Sequence, residues 1–129
     1  MNGTDQEVTI VEMKEVQPFA AAYICTTLPS DRASNGRELE DRATQEEMLR
    51  LRTEKDGVVI GFWVDESEAT TDPRQRPGLT RAIELMGSQQ YRLLYAICPD
   101  AVTPDEQWFG GLRDAFTRIG LELRFVREE

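Results

Sequence analysis

The sequence predicts a single-domain α/β protein in which a mostly parallel sheet lies between layers of helices. Three observations carry that expectation. Short apolar runs alternate with helix-length segments in the order β, α, β, α, β, α, β, the pattern of parallel strands joined by right-handed helical crossovers. Most of these runs lack the polar alternation of a half-solvated sheet, which marks strands covered on both faces. The length, 129 residues, leaves room for one core and little else.

The elements follow in order. Residues 1–18 are acidic and contain one alternating piece, Val8-Thr9-Ile10-Val11, which reads either as an extra N-terminal edge strand or as an arm. The domain proper is expected over residues 19–127. Residues 19–26 form the first buried strand, ending at Thr26 and Thr27. Residues 28–36, with Pro29, Ser30, Asp31, Asn35 and Gly36, read as a loop. Residues 37–56 are rich in Glu, Arg, Leu and Met and stop at Gly57, so they read as a helix with a glycine terminator. Gln45, Glu46 and Glu47 interrupt its apolar stripe, which leaves Met48 or Leu51 open as a partner surface. Residues 58–64 are β-branched and aromatic apart from Gly61, a strand expected to be covered on both faces and ending at Asp65 and Glu66.

After a polar loop, Arg76-Pro77-Gly78 signals a helix entry. Leu79, Ala82, Ile83 and Met86 supply its buried stripe, and Gly87 is its expected stop. Residues 93–98 form a third apolar strand, stopped by Pro99 and Asp100. Thr103-Pro104-Asp105-Glu106 carries a capping-box pattern for the next helix, with Trp108, Leu112, Ala115, Phe116 and Ile119 as core face and Gly120 as stop. Leu121, Leu123 and Phe125 then alternate with more polar positions as a half-buried last strand.

Composition narrows function. Lys and Arg number 15 against 24 Asp and Glu, a net charge of −9 with no histidine. Autonomous DNA binding is therefore disfavoured, because neutralising phosphates needs cations. The absence of histidine excludes Ser-His-Asp chemistry and histidine-ligated metals, so no metal site is expected, and no cofactor is expected. The longest apolar run, residues 19–25, is far short of the roughly 20 residues that span a bilayer, so no membrane partner is expected. Two cysteines make no disulfide framework, and a reducing, cytoplasmic setting follows as the expectation.

In a sheet of this kind the working site lies at the carboxyl ends of the strands, near the switch in strand order. That rule selects Cys25, Thr26 and Thr27, then Asp65 and Glu66, then Cys98 and Asp100. Arg76 stands just before a helix start, where N–H groups favour anions, and reads either as an anion ligand or as a surface salt-bridge partner of Asp72 or Glu66. Asp65 and Glu66 are expected to hold Arg76 or to solvate a loop.

These strand ends resemble the catalytic domain of the serine recombinases, the resolvase and invertase family. The resemblance rests on Ala22-Tyr23-Ile24-Cys25-Thr26-Thr27, Gln45, Val64-Asp65-Glu66 and Arg76-Pro77-Gly78-Leu79-Thr80-Arg81-Ala82, and covers about residues 20–127. It implies a flavodoxin-like three-layer sandwich with a four-stranded sheet of order 2-1-3-4. In that order the first and third strands are neighbours, which places Cys25 and Cys98 at adjacent strand ends. They read as two buried apolar thiols, with a redox or metal role as the alternative.

The resemblance also implies a site, and this chain departs from it. Where members carry a Tyr-x-Arg-x-Ser strand, the arginine position is Cys25 and the nucleophile position is Thr27. Where members carry Asp-Arg-Leu-x-Arg, the chain has Asp100-Ala101-Val102-Thr103-Pro104. Arg76 keeps a phosphate-binding role available, Arg81 is retained in register, and Gln45, Asp65 and Asp100 are supporting positions. If each lost arginine costs roughly 3 kcal/mol, three approach about 9 kcal/mol, or about a millionfold in rate.

The family's long dimerisation helix and DNA-binding domain have no counterpart before Glu129. The expectation is a degenerate serine-recombinase-like domain without strand exchange, acting as a protein-interaction or regulatory module with a protein partner, a weak homodimer remaining open. The alternative is a recombination enzyme or fragment with Thr27 as nucleophile and Arg76 as phosphate ligand.

Overall fold

The computed structural model describes residues 18–29 and 38–128; the alternating piece at Val8-Thr9-Ile10-Val11 and most of the loop expected over residues 28–36 lie outside them. Among the described residues, β1 (Phe19–Ile24), α1 (Arg42–Asp56), β2 (Val59–Asp65), α2 (Pro77–Gln89), β3 (Leu93–Ala96), α3 (Pro99–Val102), α4 (Glu106–Arg118) and β4 (Glu122–Phe125) follow one another, with a 3-10 turn at Pro73–Gln75. Every strand pair is parallel and the order is β2-β1-β3-β4. The expected α/β class and 2-1-3-4 sheet are what the chain adopts.

Side-chain size explains the layering. Three consecutive alanines in β1 leave both faces of the central strand low enough for helices to approach. On one face Ala20, Ala22 and Ile24 meet Leu49 of α1 and Tyr95 of β3. On the other, Ala21 and Tyr23 share a core with Leu79, Ala82 and Met86 of α2 and Phe116 of α4. β1 and β3 are buried almost throughout, while β2 and β4 form the edges.

Several boundaries differ from expectation for local reasons. The second strand is not covered on both faces: only Val64 of β2 is buried, and Val59, Gly61 and Asp65 are exposed. An apolar run does not distinguish a central strand from an edge shielded by large rings. Here Tyr91 stacks on Phe19 at 5.6 Å and on Phe62 at 5.4 Å, and the Arg50 guanidinium lies 4.9 Å from the Trp63 ring. The register with β1 slips between Ala20 and Ala21, leaving Gly61 unpaired, and a side chain at Gly61 would run into the Tyr91 ring.

Helix α1 begins at Arg42 instead of residue 37, because the Asp41 carboxylate accepts the Thr44 N–H at 2.8 Å and caps it there. Its end at Gly57, with φ 74°, is as expected. Helix α2 runs through Gly87, and Gln90 takes the left-handed position with φ 63° while the Tyr91 N–H closes onto the Met86 carbonyl. The first strand ends at Ile24 and the third at Ala96, where Pro99–Val102 forms an extra helical turn. Thr103 is not the cap of the last helix. Asp105 accepts the Gln107 and Trp108 N–H groups, and the Thr103 hydroxyl donates instead to the Thr71 carbonyl at 2.6 Å. The core face of α4 is Phe109, Leu112 and Phe116, while Ala115 is exposed and Ile119 is 63% exposed, so the expected core positions Ala115 and Ile119 are not part of it.

Candidate functional site

The switch in strand order falls between β1 and β3, where crossovers leave in opposite directions and a crevice opens at the carboxyl ends. Arg76 fills it. Its backbone is the N-cap residue of α2, and its side chain, 0% exposed, reaches inward across the strand ends. Nη1 donates to the Ala101 carbonyl at 2.7 Å, the Tyr23 hydroxyl at 3.1 Å and Cys25 Sγ at 3.4 Å, and Nε donates to the Thr70 carbonyl at 2.8 Å. Nη2 is buried with no hydrogen-bond partner. The surface salt bridge expected to Asp72 or Glu66 does not form: Asp72 instead pairs with Arg74 at 2.9 Å.

Glu66 does different work. One oxygen accepts the Tyr23 hydroxyl at 2.7 Å and the Leu79 N–H at 2.9 Å; the other accepts the Gly78 N–H at 2.9 Å and the Ser67 and Glu68 N–H groups. Arg76 has no side-chain cap bond, so this carboxylate, twelve residues upstream of Gly78, satisfies the orphan donors of the α2 N-terminus. Burial pulls the Glu66 carboxyl upward, but the bonds from Tyr23, Gly78, Glu68 and Leu79 outweigh it and hold it below the usual range. Burial also drives the Tyr23 hydroxyl far above its ordinary value, with Arg76 opposing, so it stays protonated and donates.

The close approach depends on Gly78. A Cβ there would stand 2.9 Å from Glu66 Cα and 3.0 Å from the Asp65 carbonyl, backbone that cannot swing aside. Gly78→Ala is expected to destabilise the protein by about 2 kcal/mol, seen as a lower denaturant midpoint at unchanged slope.

The remaining sequence-selected residues fall around this network. The Cys25 thiol, buried, donates to the Thr27 carbonyl at 3.2 Å; burial pushes its pKa up, Arg76 opposing without prevailing. Cys98 is free and buried, caps α3 through its backbone, and is likewise pushed up by burial. Both thiols belong to the apolar core on the α2 face of the sheet. Gln45 is buried and donates to the Cys25 carbonyl at 2.9 Å and the Glu40 carbonyl at 2.7 Å, while its Oε1 has no partner. Thr27 is exposed just past β1 and Arg81 is exposed on α2. Asp65, exposed, pairs with Arg42 at 2.8 Å, and Asp100 is half-buried in α3.

Arg76, Cys25, Tyr23 and Glu66 thus come together; Thr27 enters only through its main-chain carbonyl, which accepts the Cys25 thiol, and the Arg81 and Asp65 side chains share none of their hydrogen bonds. The Thr70 and Ala101 carbonyls were missed because main-chain acceptors leave no mark in residue type. Tyr23 was legible only as a polar tip inside an apolar strand.

Among the described residues no group of three or more His, Cys, Asp or Glu is arranged to hold a metal, and no helix is long and apolar enough to cross a membrane. No family model and no curated protein matches the chain. Solved structures do. The chain is similar to the C-terminal catalytic domain of ISC1926 TnpA, an IS607-like serine recombinase, at 18% identity and TM-score 0.64 over 85% of this chain and 71% of that one. It is similar to the N-terminal catalytic domain of TP901-1 integrase at 16% identity and TM-score 0.66, over 84% of this chain and 77% of that one. The β2-β1-β3-β4 sheet, its helices and these two likenesses together give the chain the fold of a serine-recombinase catalytic domain.

Proposed function

We propose that this protein is a serine-recombinase-like domain that has lost strand exchange and serves as a protein-interaction or regulatory module. The observation that carries the reading is the inward turn of Arg76. Phosphoryl transfer relies on cations aimed at the developing charge, and a guanidinium with no exposed surface offers nothing to a phosphate.

The reason lies in its neighbours. By the family pattern, Cys25 and Ala101 stand where arginines belong, and those are the residues whose Sγ and carbonyl now receive Arg76. Several guanidiniums in one crevice would repel one another and keep to solvent; a thiol and a methyl group leave room for a single one to sink in. The net charge of −9 opposes DNA in the same direction.

The test is an electrophoretic shift at low ionic strength together with a suicide-substrate cleavage assay on the full chain. Neither a shift nor a covalent DNA adduct is expected. A covalent adduct that disappears in Thr27→Ala would overturn the reading and establish Thr27 as a nucleophile.

A further inference from the structure

We propose that the outer edge of β2, with the groove between it and α1, joins two copies of this chain around a two-fold axis. The inference does not depend on whether strand exchange is lost. It starts from an asymmetry between the two edges of the sheet formed by the described residues. β4 has four residues and carries Glu122 and Arg124, the short charged kind of edge that discourages pairing. β2 has seven residues, and from Val59 to Val64 it holds neither charge nor proline. Its one interruption is the unpaired Gly61.

Beside this edge lies an open groove of about 580 Å³, lined by Arg50, Leu51 and Glu54 of α1 and by Val58, Val59 and Ile60. Leu51 is 58% exposed and Val59 is 37% exposed, so the apolar edge continues onto the helix.

The charges flanking Leu51 select the occupant. Arg50 and Glu54 have opposite sign and lie one turn apart on α1, so the face is its own complement when a second copy meets it antiparallel. Arg50 is held from within, bonded to Glu46 at 2.8 Å and lying over Trp63, yet its side chain remains 59% exposed. The heights agree as well. From Asp56 back to Arg52 the helix rises about 6 Å, and from Val59 to Gly61 the strand rises about 6.6 Å. A two-fold axis normal to the sheet at that level sets β2 antiparallel to its mate. It also brings Arg50 of each α1 to Glu54 of the other.

Sedimentation velocity of the full chain over about 1–500 µM tests this. The wild-type protein is expected to pass from monomer to dimer across that range. Leu51→Asp combined with Val59→Lys should stay monomeric throughout while keeping its far-ultraviolet circular dichroism and its melting midpoint at the lowest concentration. Arg50→Glu and Glu54→Arg should each weaken the dimer about tenfold, and the double variant should regain it, because like-charge contacts become opposite-charge contacts again. A wild-type monomer at every concentration overturns the proposal. So does a dimer indifferent to these substitutions, or a double variant no stronger than either single one, the outcome expected if the edge takes a foreign strand.

Discussion

Arg76→Ala is expected to lose about 3–5 kcal/mol of folding stability, read as a fall in the urea midpoint. The guanidinium joins three stretches of chain: the loop after β2 through Thr70, the end of β1 through Tyr23 and Cys25, and α3 through Ala101. Truncation leaves two carbonyls and a hydroxyl facing a void, each costing about 1–3 kcal/mol where water does not enter. Arg76→Lys is expected to recover little, since an ammonium keeps the buried charge but lacks the planar fork that reaches Thr70 and Ala101 together. Arg76→Met should cost less than alanine, because it fills the volume and removes a charge that no carboxylate among the described residues pairs with. A loss below about 1 kcal/mol in Arg76→Ala would show that these bonds do not hold the strand ends together.

Glu66→Gln is expected to cost about 2–3 kcal/mol at neutral pH, with a pH signature that packing alone does not produce. The amide keeps the shape of the carboxylate but supplies one acceptor oxygen for donors that occupy both. The sign follows from the lowered pKa. A carboxyl held below its ordinary value in the folded state binds fewer protons there than in the unfolded chain, so its contribution is complete above the ordinary carboxylate range. It drains away as pH falls through that range and through the lower folded-state value. The stability gap between wild type and Glu66→Gln should therefore be widest near neutrality and shrink on acidification. Asp41, Glu46, Asp56 and Asp72 are lowered in both proteins and cancel in the difference. A gap independent of pH would mean that the Glu66 charge contributes nothing to holding α2.

Much of the architecture was legible because it follows from local chemistry. Apolar runs marked the four strands, Gly57 and Gly120 stood where positive φ is needed, and the 2-1-3-4 order came with the family resemblance. Two of the misplaced boundaries share a cause. At Gly87 and Thr103 a locally reasonable signal lost to a longer-range one, the stacking of Tyr91 and the reach of Thr103 to Thr71, whereas the start of α1 was decided by another local signal, the capping of Thr44 by Asp41. For the site, the sequence rule selected Cys25, Glu66 and Arg76 by place but paired them wrongly. It set Arg76 against carboxylates on the surface, whereas the fold sets it against neutral acceptors in the interior.

By itself the sequence determined a parallel α/β sheet, the rough course of its strands, and the absence of histidine chemistry, because hydrophobic periodicity and residue inventory are properties of the chain alone. Which way Arg76 turns, that Glu66 rather than a neighbouring side chain caps α2, and that β2 is an edge among the described strands were decided only by tertiary structure. Each depends on the volume and the acceptors that distant segments present to one another, and neither quantity exists until those segments have packed.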